Sequence, residues 1–551
     1  MKKPIVLVLL VLILPVLAFK PQPNRFFDIS KNIEIFSSLY RELNMGYVDD
    51  LDPAQFMRIG IDAMLNQLDP FTNYISESQI ESYRVNAESR FEGLGADLKS
   101  IDNFITIYDL YENSPAMKSG LIIGDQIISV DGKSAQGKSP DEVRSFLKGS
   151  SGSAVKLSIL RSGETKPREL QLVRGENEIK NVPFYTLLDK RYAYIVLSVF
   201  TENASANIAS AYRKILQQYQ SDHPEEKLNG LILDLRDNGG GLLREAISVS
   251  NLFVPKGELV VTTKGKVKEW DRTYNTPGAP LDAEIPLTIL VDKFTASASE
   301  IVSGVVQDFD RGIIIGQRSY GKGLVQNTKD IGYNSQLKLT TAKYYIPSGR
   351  CIQGVAYENG EPKDIPDQQR SVFKTRNGRP VLDGGGITPD IKVPLPAQSP
   401  LVKQLLEQDL IFKFVNDHLL NQKSSYTAEQ IEFIHYDQFI SFASQKGFIY
   451  LSPAQQQLTA LKNEQKDQIH PYSASLTQLL NNLETKVLEE DALLWQKDKS
   501  QLSELIEKEI AKRILSEEQM IQYRLLHDKE VVEAMKVLQD QKFYGSILGH
   551  K

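Results

Sequence analysis

Three short segments of this chain carry residue types suited to acyl transfer. The first runs Val291-Asp292-Lys293-Phe294-Thr295-Ala296-Ser297-Ala298-Ser299-Glu300. There an apolar strand ends in small residues and a helical pattern begins. A helix N-terminus offers unpaired backbone N–H donors, and small side chains let a substrate carbonyl approach the backbone. Ser297 is placed to attack while the Ala298 N–H stabilises the developing oxyanion. The competing assignment makes Ser297 or Ser299 a helix cap, helped by Glu300 in the first turn.

A serine nucleophile needs a base. Lys322 lies in Ser319-Tyr320-Gly321-Lys322-Gly323, after the apolar strand Gly312 to Ile315. Its flanking glycines permit an unusual backbone path. A lysine works as a base only where burial favours its neutral form; otherwise this is an exposed turn lysine. The histidines His223, His418, His435, His470, His527 and His550 have no motif around them. With no Gly-x-Ser-x-Gly elbow either, a Ser–His hydrolase of small esters is disfavoured. The third segment, Asp234-Leu235-Arg236-Asp237-Asn238-Gly239-Gly240-Gly241, follows a strongly apolar strand. Three glycines there let amides point at an anion or a carbonyl oxygen. A plain tight turn is the alternative, and the Gly-Lys-Ser/Thr ending of a phosphate-binding loop is absent.

Such groups need elements to position them. From about 185 to 395, apolar strands (Tyr194 to Leu197, Gly230 to Leu235, Leu287 to Val291, Gly312 to Ile315) alternate with helical patterns at about 203–218, 242–252 and 297–309. This alternation predicts an α/β layer with a partly parallel sheet. Residues 27 to 85 read as helical, with Ile33, Phe36, Leu39 and Leu43 at helical spacing and a break at Asp52-Pro53. Residues 88 to about 175 alternate apolar and polar, with one helix at Pro140 to Leu147, and form a small β-rich module. The polar stretch Tyr357 to Gly385 reads as a long loop or insertion. Beyond a linker at Pro394 to Pro400, helices rich in Gln, Lys, Glu and Leu continue to the C-terminus.

Together the three segments resemble the C-terminal processing peptidases, also called tail-specific proteases. The family's Ser-Ala-Ser-Ala-Ser-Glu falls on Thr295 to Glu300 with its middle serine at Ser297, and its Tyr-Gly-Lys-Gly falls on Tyr320 to Gly323. Further matches are Thr341-Ala342-Lys343-Tyr344-Tyr345, Pro347-Ser348-Gly349-Arg350 and Gly386-Ile387-Thr388-Pro389-Asp390. The resemblance implies a Ser297–Lys322 dyad, with Gln326 orienting the lysine. It also implies an oxyanion hole formed by the Ala298 amide and that of Gly239 or Gly240.

Gly93-Leu94-Gly95-Ala96 resembles the carboxylate-binding loop of PDZ domains. Ser114-Pro115-Ala116, Ser119-Gly120-Leu121 and Gly124 to Gly132 support that likeness. PDZ domains take a peptide as an added strand at a sheet edge.

The implied architecture is multidomain α/β, with a ClpP/crotonase-like protease core, an inserted small β-rich PDZ domain and helical N- and C-terminal regions. The expected divisions are 1–19 for a signal peptide or N-terminal anchor, 27–87 for a helical region, and 88–175 for PDZ. Residues 176–395 (with 27–87) then form the peptidase core, and 401–551 a helical C-terminal domain.

Whole-chain properties bound the function. At 551 residues the chain is too long for one core. Its net charge of −6 carries no nucleic-acid signature. Lys2 and Lys3 precede an apolar run from Ile5 to Phe19, shorter than a span of about 20 residues, with a cleavage site after Ala18. The expected location is therefore export to the bacterial periplasm, with inner-membrane anchoring if the segment is retained. Cys351 is the single cysteine, so no intramolecular disulfide forms. No metal or cofactor is implied. The expected substrates are exported proteins with free, apolar C-termini. The N- and C-terminal helices are candidates for homo-oligomer or adaptor contacts. The alternative function is a proteolytically inactive PDZ scaffold.

Overall fold

The structure, a computed structural model, describes residues 25–77, 79–80, 90–178, 180–224, 226–358, 361–394, 397–422, 430–466 and 473–549. The expected signal segment and its Ala18 cleavage site lie outside these residues. Among them, no helix is long and apolar enough to cross a membrane. The chain divides into two units, one of residues 1–74 with 358–361, the other of the remainder.

In the smaller unit, α1 (Arg25–Gly46) and α2 (Pro53–Leu65) are separated at Asp52-Pro53. Asp52 caps α2 by accepting from the Ala54 and Gln55 amides at 2.9 and 3.1 Å. Pro53 suits the first helical position because it needs no hydrogen-bond acceptor there.

The larger unit begins with the β-rich module. Strand β1 (Arg90–Gly93) precedes β2 (Ala96–Ile101), β3 (Phe104–Leu110) and β4 (Gln126–Val130). After α3 (Pro140–Leu147) come β5 (Ala154–Leu160), β6 (Arg168–Val173) and β7 (Gly175–Glu178). An antiparallel sheet in the order β2-β3-β4-β5-β6 buries Ile105, Ile107, Ile127, Leu157 and Ile159 against α3. Strands β1 and β7 pair with each other, pairing Gly93 with Gly175.

The α/β region follows, with β8 (Phe184–Leu188), β9 (Tyr192–Val196), α4 (Ala204–Asp222), β10 (Gly230–Asp234) and α5 (Leu243–Asn251). Next come β11 (Leu259–Gly265), β12 (Arg272–Asn275), β13 (Leu287–Val291), α6 (Ala298–Asp308), β14 (Ile313–Gly316), β15 (Leu324–Gly332), β16 (Ser335–Tyr345) and β17 (Ile391–Lys392). A sheet in the order β8-β9-β10-β13-β14-β17 is parallel from β9 onward. Its strands read as continuous apolar runs because both faces are covered. Helices α4, α5 and α6 bury one face over Ile195, Leu233, Ile289 and Ile314. The stretch read as a long loop or insertion carries several short strands. It includes an antiparallel hairpin of Val372–Lys374 and Pro380–Leu382, docked by Arg379 onto Asp310 and Asp390 at 2.5 and 2.6 Å.

The C-terminal region opens with α7 (Pro400–Glu407), α8 (Leu410–Gln422), α9 (Tyr436–Gln445), α10 (Pro453–Lys466), α11 (Ala474–Lys497), α12 (Lys499–Ile514) and α13 (Glu517–Leu525). Leu401, Leu405, Phe414, Phe439, Ile506 and Ile510 form its own core. The last two helices also meet the parallel sheet. Helices α14 (Lys529–Gln539) and α15 (Gln541–Ile547) cover the second face of the parallel sheet. Val531, Ala534, Val537, Leu538 and Tyr544 pack there on Tyr194, Ile232, Leu290, Ile313 and Ile315.

Candidate active site

Ser297 sits where β13 passes into α6, with φ +57° and ψ −113°. Few non-glycine residues adopt a positive φ, and such strain persists only where surroundings enforce it. The enforcement comes from Glu300, whose Oε2 accepts the Ser297 amide at 2.8 Å. Ser297 and Glu300 are arranged as a capping box at the start of α6. The Glu300 carboxylate thus secures the start of α6 at Ser297. Ala298 is the first residue of α6, and its amide has no acceptor within the chain among the described residues. Thr295, one turn earlier, is buried and donates to the Leu235 carbonyl at 2.9 Å.

Lys322 is brought to the same carboxylate. Its amide donates to Glu300 Oε2 at 2.8 Å, while the Gly321 amide and the Ser319 hydroxyl donate to Oε1 at 2.6 and 2.5 Å. Gly321, at φ +87°, lets this loop pass against Gly354, where a Cβ would come within 2.7 Å of Cα. The buried Tyr344 phenol bonds to the carbonyls of Ser297, at 3.1 Å, and of Lys322. Burial, with Glu300 nearby, pushes that phenol far above its ordinary range and keeps it a donor. Burial likewise raises the Glu300 pKa, although its four donors pull the other way. Gln326 stands on β15 and donates to Thr340 Oγ1 on β16 at 3.2 Å.

The glycine loop is stitched to the nucleophile segment through Asn238. This side chain is wholly buried. It donates to the Leu197 carbonyl at 2.7 Å and accepts the Gly240 amide at 2.9 Å. Its own carbonyl accepts the Ala296 amide and the Ser299 hydroxyl, each at 3.0 Å. Gly240, at φ +100°, lies so close that a Cβ would stand 2.7 Å from Ser297 Cβ and 2.9 Å from the Ala298 nitrogen. Of the two glycines expected as oxyanion donors, Gly240 is therefore already committed to Asn238. The Gly239 amide has no acceptor within the chain among the described residues.

In the β-rich module, Gly93 ends β1, Leu94 and Gly95 form the link, and Ala96 begins β2. Gly95 adopts φ +71° and Leu94 is buried. The carbonyls of Leu94 and Gly95 accept from Ala116 and Tyr111 at 2.8 and 2.9 Å, which fixes the loop. Strand β2 is at the sheet edge, and Arg144 of α3 reaches its Leu98 carbonyl at 3.5 Å. Among the described residues, no cluster of His, Cys, Asp or Glu suits a metal ion.

Glu300 and Asn238 organise this site, yet sequence reasoning gave one only a capping role and the other none. The signal for Glu300 was its place three residues after Ser297, and for Asn238 its place directly before three glycines.

Comparison with known proteins adds three family matches. Peptidase family S41 matches residues 191–360, a PDZ domain matches 106–161, and the C-terminal helical domain of probable PDZ-proteases matches 401–538. The carboxy-terminal-processing protease of Bartonella bacilliformis is 36% identical over 325 residues, which is 59% of this chain and 73% of that protein. A probable CtpA-like serine protease of Staphylococcus haemolyticus is 30% identical over 403 residues, or 72% of this chain and 79% of that one. Among solved structures, the photosystem II D1 C-terminal processing protease aligns with 65% of this chain and 87% of its own, at 26% identity and a TM-score of 0.38.

Proposed function

The chain belongs to the carboxy-terminal-processing proteases of peptidase family S41, serine-type peptidases with a PDZ domain, and from that premise we propose that Ser297 is its nucleophile and Lys322 its general base. The observation that carries this reading is the single Glu300 oxygen accepting the amides of both residues at 2.8 Å. Two backbone positions 25 residues apart are thereby tied to one carboxylate.

Lys322, in its neutral form, takes the Ser297 hydroxyl proton as Oγ attacks the scissile carbonyl. The negative oxygen settles between the Ala298 and Gly239 amides. Lys322 returns the proton to the departing amine, leaving an acyl-Ser297 ester. It then deprotonates a water that cleaves the ester. Gln326 orients the lysine. The substrates are exported proteins whose free, apolar C-termini enter at Gly93 to Ala96 and pair along the open edge of β2. Export rests on the apolar run Ile5 to Phe19. The ClpP/crotonase-like description of the core rests on the parallel succession β9, β10, β13, β14.

Ser297→Ala and Lys322→Ala, each assayed on a folded protein with an apolar C-terminus, are expected to lose on the order of 10⁴-fold in kcat. Wild-type rates in both variants would remove the assignment.

A further inference from the structure

A buried charge cluster at the end of β10 takes no part in the mechanism above. The Arg236 guanidinium donates to Asp234 at 2.5 Å, to Asp528 at 3.0 and 2.7 Å on its two oxygens, and to Glu530 at 3.4 Å. Asp234 also accepts the Tyr194 hydroxyl at 2.6 Å. Arg236 is 18% exposed and Asp528 8%. Asp528 caps α14, accepting the Val531 amide at 3.0 Å. A fork of this kind fixes direction as well as distance, which a lysine would not.

The cluster's place in the chain gives it a consequence. Arg236 precedes Asn238 by two residues, with Asp237 at φ +59° between them. The segment from Asp234 to Gly241 is thus clamped twice. Asn238 ties it inward to the Ser297 junction, and Arg236 ties it outward to the first turn of α14. The Gly239 amide follows directly after Asn238 and three residues after Arg236.

We infer that Arg236 and Asp528 are positioning residues for the peptidase reaction, through which α14 sets where the Gly239 amide points. This rests on the oxyanion reading above. It makes the C-terminal helical region a contributor to the chemical step as well as a cover for the sheet.

Asp528→Asn preserves the side-chain shape and the cap on Val531 while removing one charge from the fork. Because a small displacement of an oxyanion donor is costly, kcat is expected to fall about tenfold or more, with KM little changed. A serine-reactive phosphonate should label Ser297 more slowly by the same factor. Val537→Ala is the control: it opens a cavity in the same helix–sheet contact without touching Arg236. That variant should melt earlier with unaltered kcat. Wild-type kcat and labelling in Asp528→Asn would overturn the inference and leave the cluster a fold staple. Should that variant not fold, Glu530→Gln removes only the 3.4 Å partner. It is expected to lose about threefold in kcat, and wild-type rates there would equally overturn it. A wild-type enzyme that the phosphonate leaves unlabelled at Ser297 would instead overturn the dyad, so the two failures stay distinct.

Discussion

The Glu300 carboxylate accepts four donors: the Ser297, Gly321 and Lys322 amides and the Ser319 hydroxyl. An ionised carboxylate can take all four, whereas an amide offers one acceptor oxygen and turns N–H groups toward donors. Glu300→Gln should therefore cost on the order of 10²-fold in kcat/KM through misplacement of both Ser297 and Lys322. Stability behaves differently with pH. The folded pKa of Glu300 lies above its ordinary value because of burial, so folding favours the protonated form. Its contribution is fully present below the unfolded pKa and disappears as pH rises through the folded one. Urea midpoints of wild type and Glu300→Gln between pH 4 and 7 should show the wild-type advantage shrinking with rising pH; a growing advantage would contradict the raised pKa. The sequence showed Glu300 only as a capping partner of Ser297, because its other three donors arrive from the Ser319–Lys322 loop. No local pattern encodes that convergence.

At the scale of elements, the strands and helices around the site were legible because both sheet faces are covered and the apolar periods are clean. The choice between Gly239 and Gly240 was not, since it depends on which amide the Asn238 side chain captures. The polar stretch from 357 to 385 was also opaque. Its hairpin is held by Arg376, Asn377 and Arg379 bonding to Asp308 and Asp310, contacts that leave no periodic trace. The glycine loop makes a direct test of element geometry. Gly240→Ala would force a Cβ against Ala296, Ser297 and Ala298 at 2.7–2.9 Å on a backbone at φ +100°. Gly257 also has a positive φ, +86°, but open space around it. Gly257→Ala should cost only about 1 kcal/mol of stability and no activity. Gly240→Ala should lose about 10²-fold in kcat as Ser297 is displaced. Equal activity in the two variants would show that the close approach is not needed.

At the scale of the molecule, the PDZ module and the last two helices are attached very differently. The PDZ module touches the C-terminal helices through Lys99–Asp409, Lys413–Asp102 and Lys512–Asp109, with Tyr108 stacked on Phe412. Partly exposed ion pairs of this kind contribute about 0–1 kcal/mol each. The chain also enters and leaves the module side by side, since Gly93 pairs with Gly175. Helices α14 and α15 instead bury Val531, Val537, Leu538, Tyr544 and Leu548 on the sheet. At roughly 1.5–3 kcal/mol per buried side chain, their loss approaches the roughly 5–15 kcal/mol by which a domain is stable at all. From sequence, the helical stripes beyond residue 400 looked alike, because a stripe records that a face is buried and not what buries it. Deleting residues 526–551 is therefore expected to give aggregated chain without a cooperative melt. Replacing 94–174 by an Asn-Gly hairpin turn should leave a soluble core that still melts cooperatively and whose Ser297 a phosphonate still labels. That core should cut substrates without regard to their C-termini. A cooperative melt after the C-terminal deletion would show that the sheet's second face can stand uncovered, and would take away the physical basis for coupling α14 to the oxyanion loop.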